Sequence, residues 1–328
     1  MRLQKKIIIN KNLYELNSLR IAVKSRYFIE CKSDKDLDLA FNFIKQNKLK
    51  FLILGEGTNV VFRKDFDGIV IKNLYKKEKK IMSNNVKISS GYNWDKFVLY
   101  CLKNSLFGLE NLSGIPGTVG AGPIQNIGAY GEEISNYVKH VEVFNFVDGN
   151  IEILNNKNCD FSYRNSFFKK NNHLFIKNIF FKLDKKFIPK NSYEDLRTFK
   201  ITNAFEIRKK ILEIRNKKLE NYKLNPNVGS FFKNPLMNKK EFKSLKILEP
   251  RVKFYNQDSL MKISAAWLIE NSGLKGFILH KARVSNRHSL VLINEDKAPD
   301  SILKLRTKLK NLVKKKYKIK LEEEPTII

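Results

Sequence analysis

The stretch NLSGIPGTVGAGPIQNIGAYG, residues 111–131, decides how the rest of the chain is read. It contains no Asp, Glu, Lys or Arg, although 29% of the chain is charged, and it holds six of the fifteen glycines: Gly114, Gly117, Gly120, Gly122, Gly128 and Gly131. Glycine this dense marks backbone that turns sharply or meets a ligand closely, because it reaches positive φ without steric cost and has no Cβ. Free N–H groups in such a loop make concave sites that suit a phosphate. A flexible linker would be Ser-rich and polar. Ile115, Val119, Ile124, Ile127 and Tyr130 punctuate this run instead, so a binding loop is the stronger reading.

The flanking sequence supplies a frame for the loop. Upstream, the apolar run 51–54 stops at Gly55-Glu56-Gly57-Thr58-Asn59 and resumes at 60–62, a strand, glycine turn and strand where backbone could touch a phosphate or a ring edge. The turn lacks the GxGxxG spacing of a Rossmann fingerprint, so a nucleotide held here uses another fold. Ser33 and Asp36 precede Leu37, Ala40, Phe41 and Ile44 at helical spacing. Residues 69–71 and 86–90 alternate like strands around a lysine-rich hairpin, and 93–102 reads as a helix leading into the central loop. Beyond the loop, 138–147 and 151–154 flank Asp148-Gly149, a pair suited to a type I′ turn, and 174–183 is a further strand. A long basic helix is expected over 204–222, with Ala204, Ile207, Ile211 and Ile214 on one face, broken by Asn225-Pro226-Asn227. The last third offers a helix at 265–271, a strand at 289–294 and a helix whose face is Ile302, Leu305, Leu309 and Leu312. Helix, strands, loop and strands in this order is an α+β pattern.

At 328 residues the chain suits about two domains. Its formal charge of +30 invites a basic nucleic-acid-binding protein as the non-enzymatic alternative. The lysines, however, are spread through almost every polar segment together with Asn, Ile and Phe, the bias that AT-rich codons produce, so no nucleic-acid partner is expected. Such a field can still gather anionic nucleotides. No stretch approaches the roughly 20 apolar residues that span a bilayer, and the start MRLQKKIIINKN lacks the apolar core of a signal peptide, so the expected place is the cytoplasm, away from membrane. Cys31, Cys101 and Cys159 form no CxxC, and no metal site is expected.

Four separated motifs occur in a telling order: GEGTNVV at 55–61, IPGTVGAGPIQNIGAYG at 115–131, FSYRNS at 161–166 and GSFFKNP at 229–235, with a fifth related region at 265–276. Together they resemble the UDP-N-acetylenolpyruvoylglucosamine reductases, the MurB family of flavoenzymes. The resemblance implies an α+β fold with a two-lobed FAD-binding domain of the MurB and vanillyl-alcohol-oxidase type, lobe 1 over 1–72 and lobe 2 over 73–222. A smaller α/β substrate-binding domain over 223–318 and a C-terminal tail over 319–328 follow. It also implies bound FAD, NADPH as electron donor, UDP-N-acetylglucosamine enolpyruvate as substrate, a place in peptidoglycan precursor synthesis, and a monomer. A related FAD-dependent oxidase of an alcohol or sugar would share the same loops and remains the enzymatic alternative.

The family match also assigns residues. Flavin contacts fall on Gly55, Glu56, Gly57, Thr58 and Asn59 in the first loop, and on Ile115, Pro116, Gly117, Gly120 and Ala121 in the second. They continue through Gln125, Asn126, Gly128, Ala129, Tyr130 and Gly131. Arg164 would hold the enolate and carboxylate, Ser230 would donate the proton to carbon, and Glu324 would be the catalytic carboxylate of the tail. Tyr163 would shape the same wall as Arg164, Tyr193 matches a tyrosine that covers substrate in one subgroup, and Lys218, Asn234 and His288 fall at substrate-binding positions. The tail departs from the family pattern: Glu323 stands where Pro is usual, Pro325 where an apolar residue is usual, and Thr326 where relatives can carry Arg. Asn17-Ser18-Leu19 departs likewise from the expected Asn-Thr-Phe.

Overall fold

The computed structural model describes residues 6–191, 193–257 and 259–328. The first five residues of the expected first lobe lie outside them. Contacts group the chain out of its linear order. One unit holds the chain up to Lys11, Lys24–Glu56 and Phe66–Arg215; the other holds Asn12–Val23, Gly57–Asp65 and Asn216–Ile328.

The first unit contains two sheets. One has the order Ile8–Asn12, Lys24–Cys31, Phe66–Asn73, Phe51–Leu54, with Lys24–Cys31 and Phe51–Leu54 both parallel to Phe66–Asn73. Strands parallel in one sheet need a crossover connection; between Lys24–Cys31 and Phe51–Leu54, which flank Phe66–Asn73, the helix Asp34–Asn47 provides it and turns Leu37, Ala40 and Ile44 into a core with Ile29, Ile69 and Ile71. The other sheet is antiparallel, in the order Ile151–Asn155, Val138–Asn145, Leu174–Lys182, Asn85–Ser89, Lys79–Met82. Val141, Val143, Ile179 and Phe181 form its core with Trp94, Phe97, Val98 and Cys101 of the helix Trp94–Lys103.

Two local expectations are corrected here. Residues 69–71 and 86–90 belong to different sheets, and the lysine-rich hairpin joins Lys79–Met82 to Asn85–Ser89. At Asp148-Gly149 only Gly149 takes positive φ, 82°, so no type I′ turn forms. The Asn145 side chain accepts from Val147 N–H and the Asp148 side chain from Asn150 N–H, both at 2.9 Å, which fixes a longer loop closed by Asn145 N–H to Asn150 O.

A half-buried polar contact links the central antiparallel strand to the helix that covers the parallel sheet. Lys177, on the central antiparallel strand and 4% exposed, reaches Asp34 Oδ1 at 2.8 Å in the first turn of the helix Asp34–Asn47. Tyr75 O–H donates to the same oxygen at 2.9 Å, and Lys77 Nζ to the other at 2.7 Å. Burial alone would raise the Asp34 pKa, but these three partners outweigh it and bring the carboxyl to about 2. A carboxyl depressed on folding contributes stability that is whole above its unfolded pKa and is lost as pH falls through the folded value. Asp34→Asn is therefore expected to flatten the loss of stability between about pH 4 and pH 2, read from urea midpoints across that range. An acid limb as steep as that of the parent would show that the contact carries no such linkage.

In the second unit, the helix Asp300–Tyr317 buries Ile302, Leu305, Leu309, Val313 and Tyr317 and packs on the sheet Ile278–Leu279, Ala282–Val284, Leu292–Asn294. Val313 takes the inward place expected of Leu312. A second small sheet has the order Leu236–Met237, Leu260–Ile263, Phe254–Gln257. Val60–Val61 does not turn back along Phe51–Leu54; it pairs in parallel with Thr326–Ile327 of the tail. The segment Asn12–Val23 is closed by Asn17, whose Nδ2 donates to Leu13 O and Ile21 O while its Oδ1 accepts from Ile21 N–H. Ser18 Oγ donates to Asn227 O at 2.6 Å, so serine supplies here a hydroxyl of the kind the expected threonine would carry. The helix expected to reach residue 222 spans Ala204–Lys218.

Candidate active site

In the first unit the Gly55–Glu56 start of the first glycine loop is built against the second glycine loop. Trp94 N–H donates to Gly117 O at 3.0 Å and Val119 N–H to Tyr92 O at 2.8 Å, which leaves Asn93 and Thr118 facing as a close, non-hydrogen-bonded pair. A Cβ placed on Gly55 would stand 3.0 Å from Thr118 Oγ1, so the first loop packs closely on the second at this point. Lys72 Nζ donates to Gly55 O and fixes the Gly55–Glu56 peptide, while burial lowers the Lys72 pKa against the opposing charges of Glu56 and Glu30. Thr118 Oγ1 is buried and meets no partner among the described residues, and the N–H groups of Glu56, Gly117 and Thr118 likewise meet no protein acceptor among them. A buried polar group left unpaired costs about 1–3 kcal/mol. Unpaired donors at the Gly55–Glu56 and Gly117–Thr118 corners, where the one carboxylate, that of Glu56, is engaged by Asn93 Nδ2, fit the diphosphate of a dinucleotide, so the residues present suit FAD.

The remainder of residues 111–131 reaches the candidate substrate side chains of the same unit. Asn126, at φ 46°, commits its side chain to Glu133 Oε2 at 2.6 Å and to Ser135 N–H at 3.1 Å. Tyr130, at φ 50°, has its carbonyl held by Asn111 Nδ2 and its ring edge-on to Tyr193 at 5.6 Å, so the tyrosine expected over substrate packs on the glycine loop. Ser162 and Asn165 exchange backbone hydrogen bonds at 3.1 and 3.0 Å and close a two-residue turn of Tyr163 and Arg164, with Arg164 at φ 53°. The Arg164 guanidinium lies 5.4 Å from the centre of the Tyr163 ring and donates through Nη2 to Gly128 O at 2.9 Å. A Cβ on Gly128 would stand 2.9 Å from Glu133 Cγ, 3.0 Å from Glu132 O and 3.2 Å from Arg164 Nη1, so this glycine is closely packed on both sides.

Some residues escaped the sequence reading. Arg215 packs across Gly114, where a Cβ would stand 3.1 Å from its Nε, and it hydrogen-bonds the Tyr130 side chain; burial lowers its pKa against Tyr130 and Asp95. Asp95 accepts from Gly114 N–H at 2.6 Å and from both Arg208 Nη atoms at 2.6 and 2.7 Å. A cue existed: Arg208 and Arg215 each follow directly on a residue of the apolar face Ile207, Ile211, Ile214.

In the second unit the motif 229–235 runs as a ribbon with a partner on each side. Phe231 N–H donates to Leu290 O at 2.8 Å, Lys233 N–H to Glu322 O at 2.9 Å, and Glu324 N–H to Phe231 O at 3.0 Å. Phe231 and Phe232 are fully buried and anchor it, and Ser230 stays partly exposed. The tail is thus stitched beside the motif, bringing Glu324 against the residue that follows Ser230. His288 Nδ1 accepts from Leu290 N–H at 3.3 Å. Burial lowers its pKa, Lys218 and Lys275 add to this and Glu270 opposes it, which favours a neutral imidazole and places Lys218 in its neighbourhood. Asn234 Oδ1 accepts from Ala265 N–H at 2.9 Å and so holds the start of the helix Ala265–Glu270. Gly57, at φ 70°, must be glycine, because a Cβ there would lie 2.0 Å from Leu16 O. Asn59 O accepts from Thr326 N–H at 3.0 Å, so the tail also reaches the first loop's last residue.

The departure at Glu323 has a structural account. Phe232 and Glu323 form a non-hydrogen-bonded pair flanked by the bonds of Lys233 and Glu324, so the Glu323 N–H is not needed for pairing. Proline and glutamate both suit the position. Glutamate adds ion pairs to Arg306 at 2.6 Å and Lys310 at 2.7 Å; burial would raise its pKa, yet hydrogen bonds from these two bases bring it below the ordinary value. Glu323→Pro is expected to keep the tail paired and move the thermal midpoint by only a few degrees. A fall of more than about 10 °C would show that the tail depends on the ion pairs.

Among the described residues, no helix is long and apolar enough to cross a membrane, and no group of three or more His, Cys, Asp or Glu is placed to hold a metal ion. The paired glycine loops and the α+β frame define the class of FAD-binding flavoproteins, and residues 25–155 match a family model described as an FAD binding domain. Residues 219–328 match the model of the UDP-N-acetylenolpyruvoylglucosamine reductase C-terminal domain. The reductase of Buchnera aphidicola subsp. Baizongia pistaciae is 37% identical over 97% of this chain and 98% of its own length. That of Aliivibrio fischeri is 38% identical over 97% of this chain and 93% of its own length. The chain belongs to the UDP-N-acetylenolpyruvoylglucosamine reductase family. A solved reductase (MurB) from Thermus caldophilus shares the fold, with a TM-score of 0.70 at 20% identity, covering 98% of this chain and 97% of that one.

Proposed function

We propose that this chain is a cytoplasmic, FAD-containing reductase that uses NADPH to convert UDP-N-acetylglucosamine enolpyruvate to UDP-N-acetylmuramate in peptidoglycan precursor synthesis, acting as a monomer. The observation that carries this reading is the full-length match to named reductases. The loop pair Gly55 to Asn59 and Ile115 to Gly131 would hold FAD, with Thr118 and the free N–H groups of Glu56 and Gly117 at its diphosphate. When bound, FAD supplies the hydride chemistry that side chains lack. Adding hydride to an enol ether places negative charge at the neighbouring carbon and its carboxylate. Arg164, permanently charged and planar, stabilises that charge more than it stabilises the ground state, the condition for acceleration. Glu324, positioning or polarising through a bridging group, would help Arg164 hold that charge, and Ser230 would then donate the proton to carbon. Lys218, Asn234 and His288 of the 223–318 region and its approach would hold the sugar nucleotide, with Tyr163 and Tyr193 as walls.

The purified protein should be yellow, bleach with NADPH under anaerobic conditions, and regain colour when the enolpyruvyl sugar nucleotide is added. Bleached protein that ignores this substrate and recolours only with oxygen would instead point to the oxidase alternative.

A further inference from the structure

Asn93 touches both glycine loops at once. Its Nδ2 donates to Glu56 Oε1 at 2.9 Å and lies 3.4 Å from Gly117 O, while its Oδ1 accepts from Lys96 N–H at 3.1 Å as the N-cap of the helix Trp94–Lys103. Its own backbone is locked opposite Thr118 by the bonds on either side of that pair. The first loop is pinned from its other side by Lys72 at Gly55 O. One side chain thus couples a helix start, the Gly55–Glu56 corner and the Gly117–Thr118 corner.

We propose that Asn93, acting through the Glu56 carboxylate, is a positioning residue that sets the spacing of the two loops and thereby the grip on the cofactor diphosphate. The proposal rests on the FAD reading above. Neither residue need touch the cofactor through its side chain. The Asn93 amide is suited to the task because it accepts for the helix and donates to the loops simultaneously, and aspartate can do only the first.

Substitution separates these duties. Asn93→Asp keeps the cap, since Asp caps as well as Asn, but sets a second carboxylate against Glu56. Flavin release from the full-length holoenzyme, followed by the rise in free FAD fluorescence, is expected to quicken about tenfold to a hundredfold, the size of one lost half-buried charge-assisted hydrogen bond. The thermal midpoint of the flavin-free protein should stay within a few degrees. Combining Asn93→Asp with Glu56→Gln inverts donor and acceptor and should recover at least tenfold of the loss, a rescue that a purely structural role for Asn93 does not give. If Asn93→Asp fails to fold, Glu56→Ala removes the clamp without touching the cap and should quicken release by the same order.

Release within twofold of the parent in Asn93→Asp or Glu56→Ala overturns the clamp, and so does a double variant that shows no recovery. A parent protein that neither carries nor takes up FAD overturns the FAD reading itself, an outcome recognisable before any variant is made.

Discussion

Ser230→Ala is expected to leave reduction of the bound flavin by NADPH within about twofold of the parent while slowing its reoxidation by the enolpyruvyl sugar nucleotide by about 10²–10⁴, the usual contribution of a positioned acid. The asymmetry follows from where a proton is needed. Delivering hydride from nicotinamide to flavin leaves no carbanion for the protein to quench, whereas saturating the enol ether does. The substitution is conservative for the fold, because pairing at 230 runs through backbone to Val291 and the neighbouring anchors are Phe231 and Phe232. Stopped-flow absorbance of the two half-reactions, with the thermal midpoint as control, reads the result. Equal slowing of both half-reactions would remove Ser230 from the role of proton donor. Glu324→Gln should fall in the same half-reaction with a smaller loss, since its N–H bond to Phe231 O, which holds the tail in place, is untouched.

The parts of this architecture that depend on local chemistry were legible in the sequence. Residues 111–131 announce a ligand loop by what they lack, and the helix over 93–102, the strand 174–183 and the C-terminal helix follow from their apolar spacing. The pairing of Val60–Val61 was not legible, because a two-residue strand carries too little pattern to reveal a partner more than 260 residues away in the tail. The grouping of Asn12–Val23 with the C-terminal half depends on Asn17, Ser18 and Asn294, polar residues whose hydropathy says nothing of the carbonyls they meet. The same blindness hid Asn93. As a helix cap it is readable, but its second and third bonds exist only once the loops are folded together. Motif matching named Glu324 and found Glu323 anomalous, and only the ion pairs to Arg306 and Lys310 show what the extra carboxylate does.

Arg164→Gly is expected to separate stability from activity. A residue with a Cβ held at φ 53° in a two-residue turn stores about 1–2 kcal/mol that glycine would not. Glycine returns about 0.5–1 kcal/mol of that through its freer unfolded state. Loss of the bond to Gly128 O and of the contact with Tyr163 subtracts further, so the net change in stability should be close to zero. Activity has no such compensation. Removing a fixed charge aimed at a developing anion costs about 10²–10³ in rate, and the loss should appear in reoxidation by substrate. Arg164→Ala supplies the contrast, because it loses the same guanidinium but keeps the left-handed backbone, and it should be less stable than the glycine variant by about 1 kcal/mol at equal activity. Urea midpoints for the pair and single-turnover reoxidation rates give both numbers. Equal stability would mean that the turn holds no strain worth relieving, and turnover within tenfold of the parent in either variant would mean that the charge at 164 is not the one that meets the enolate.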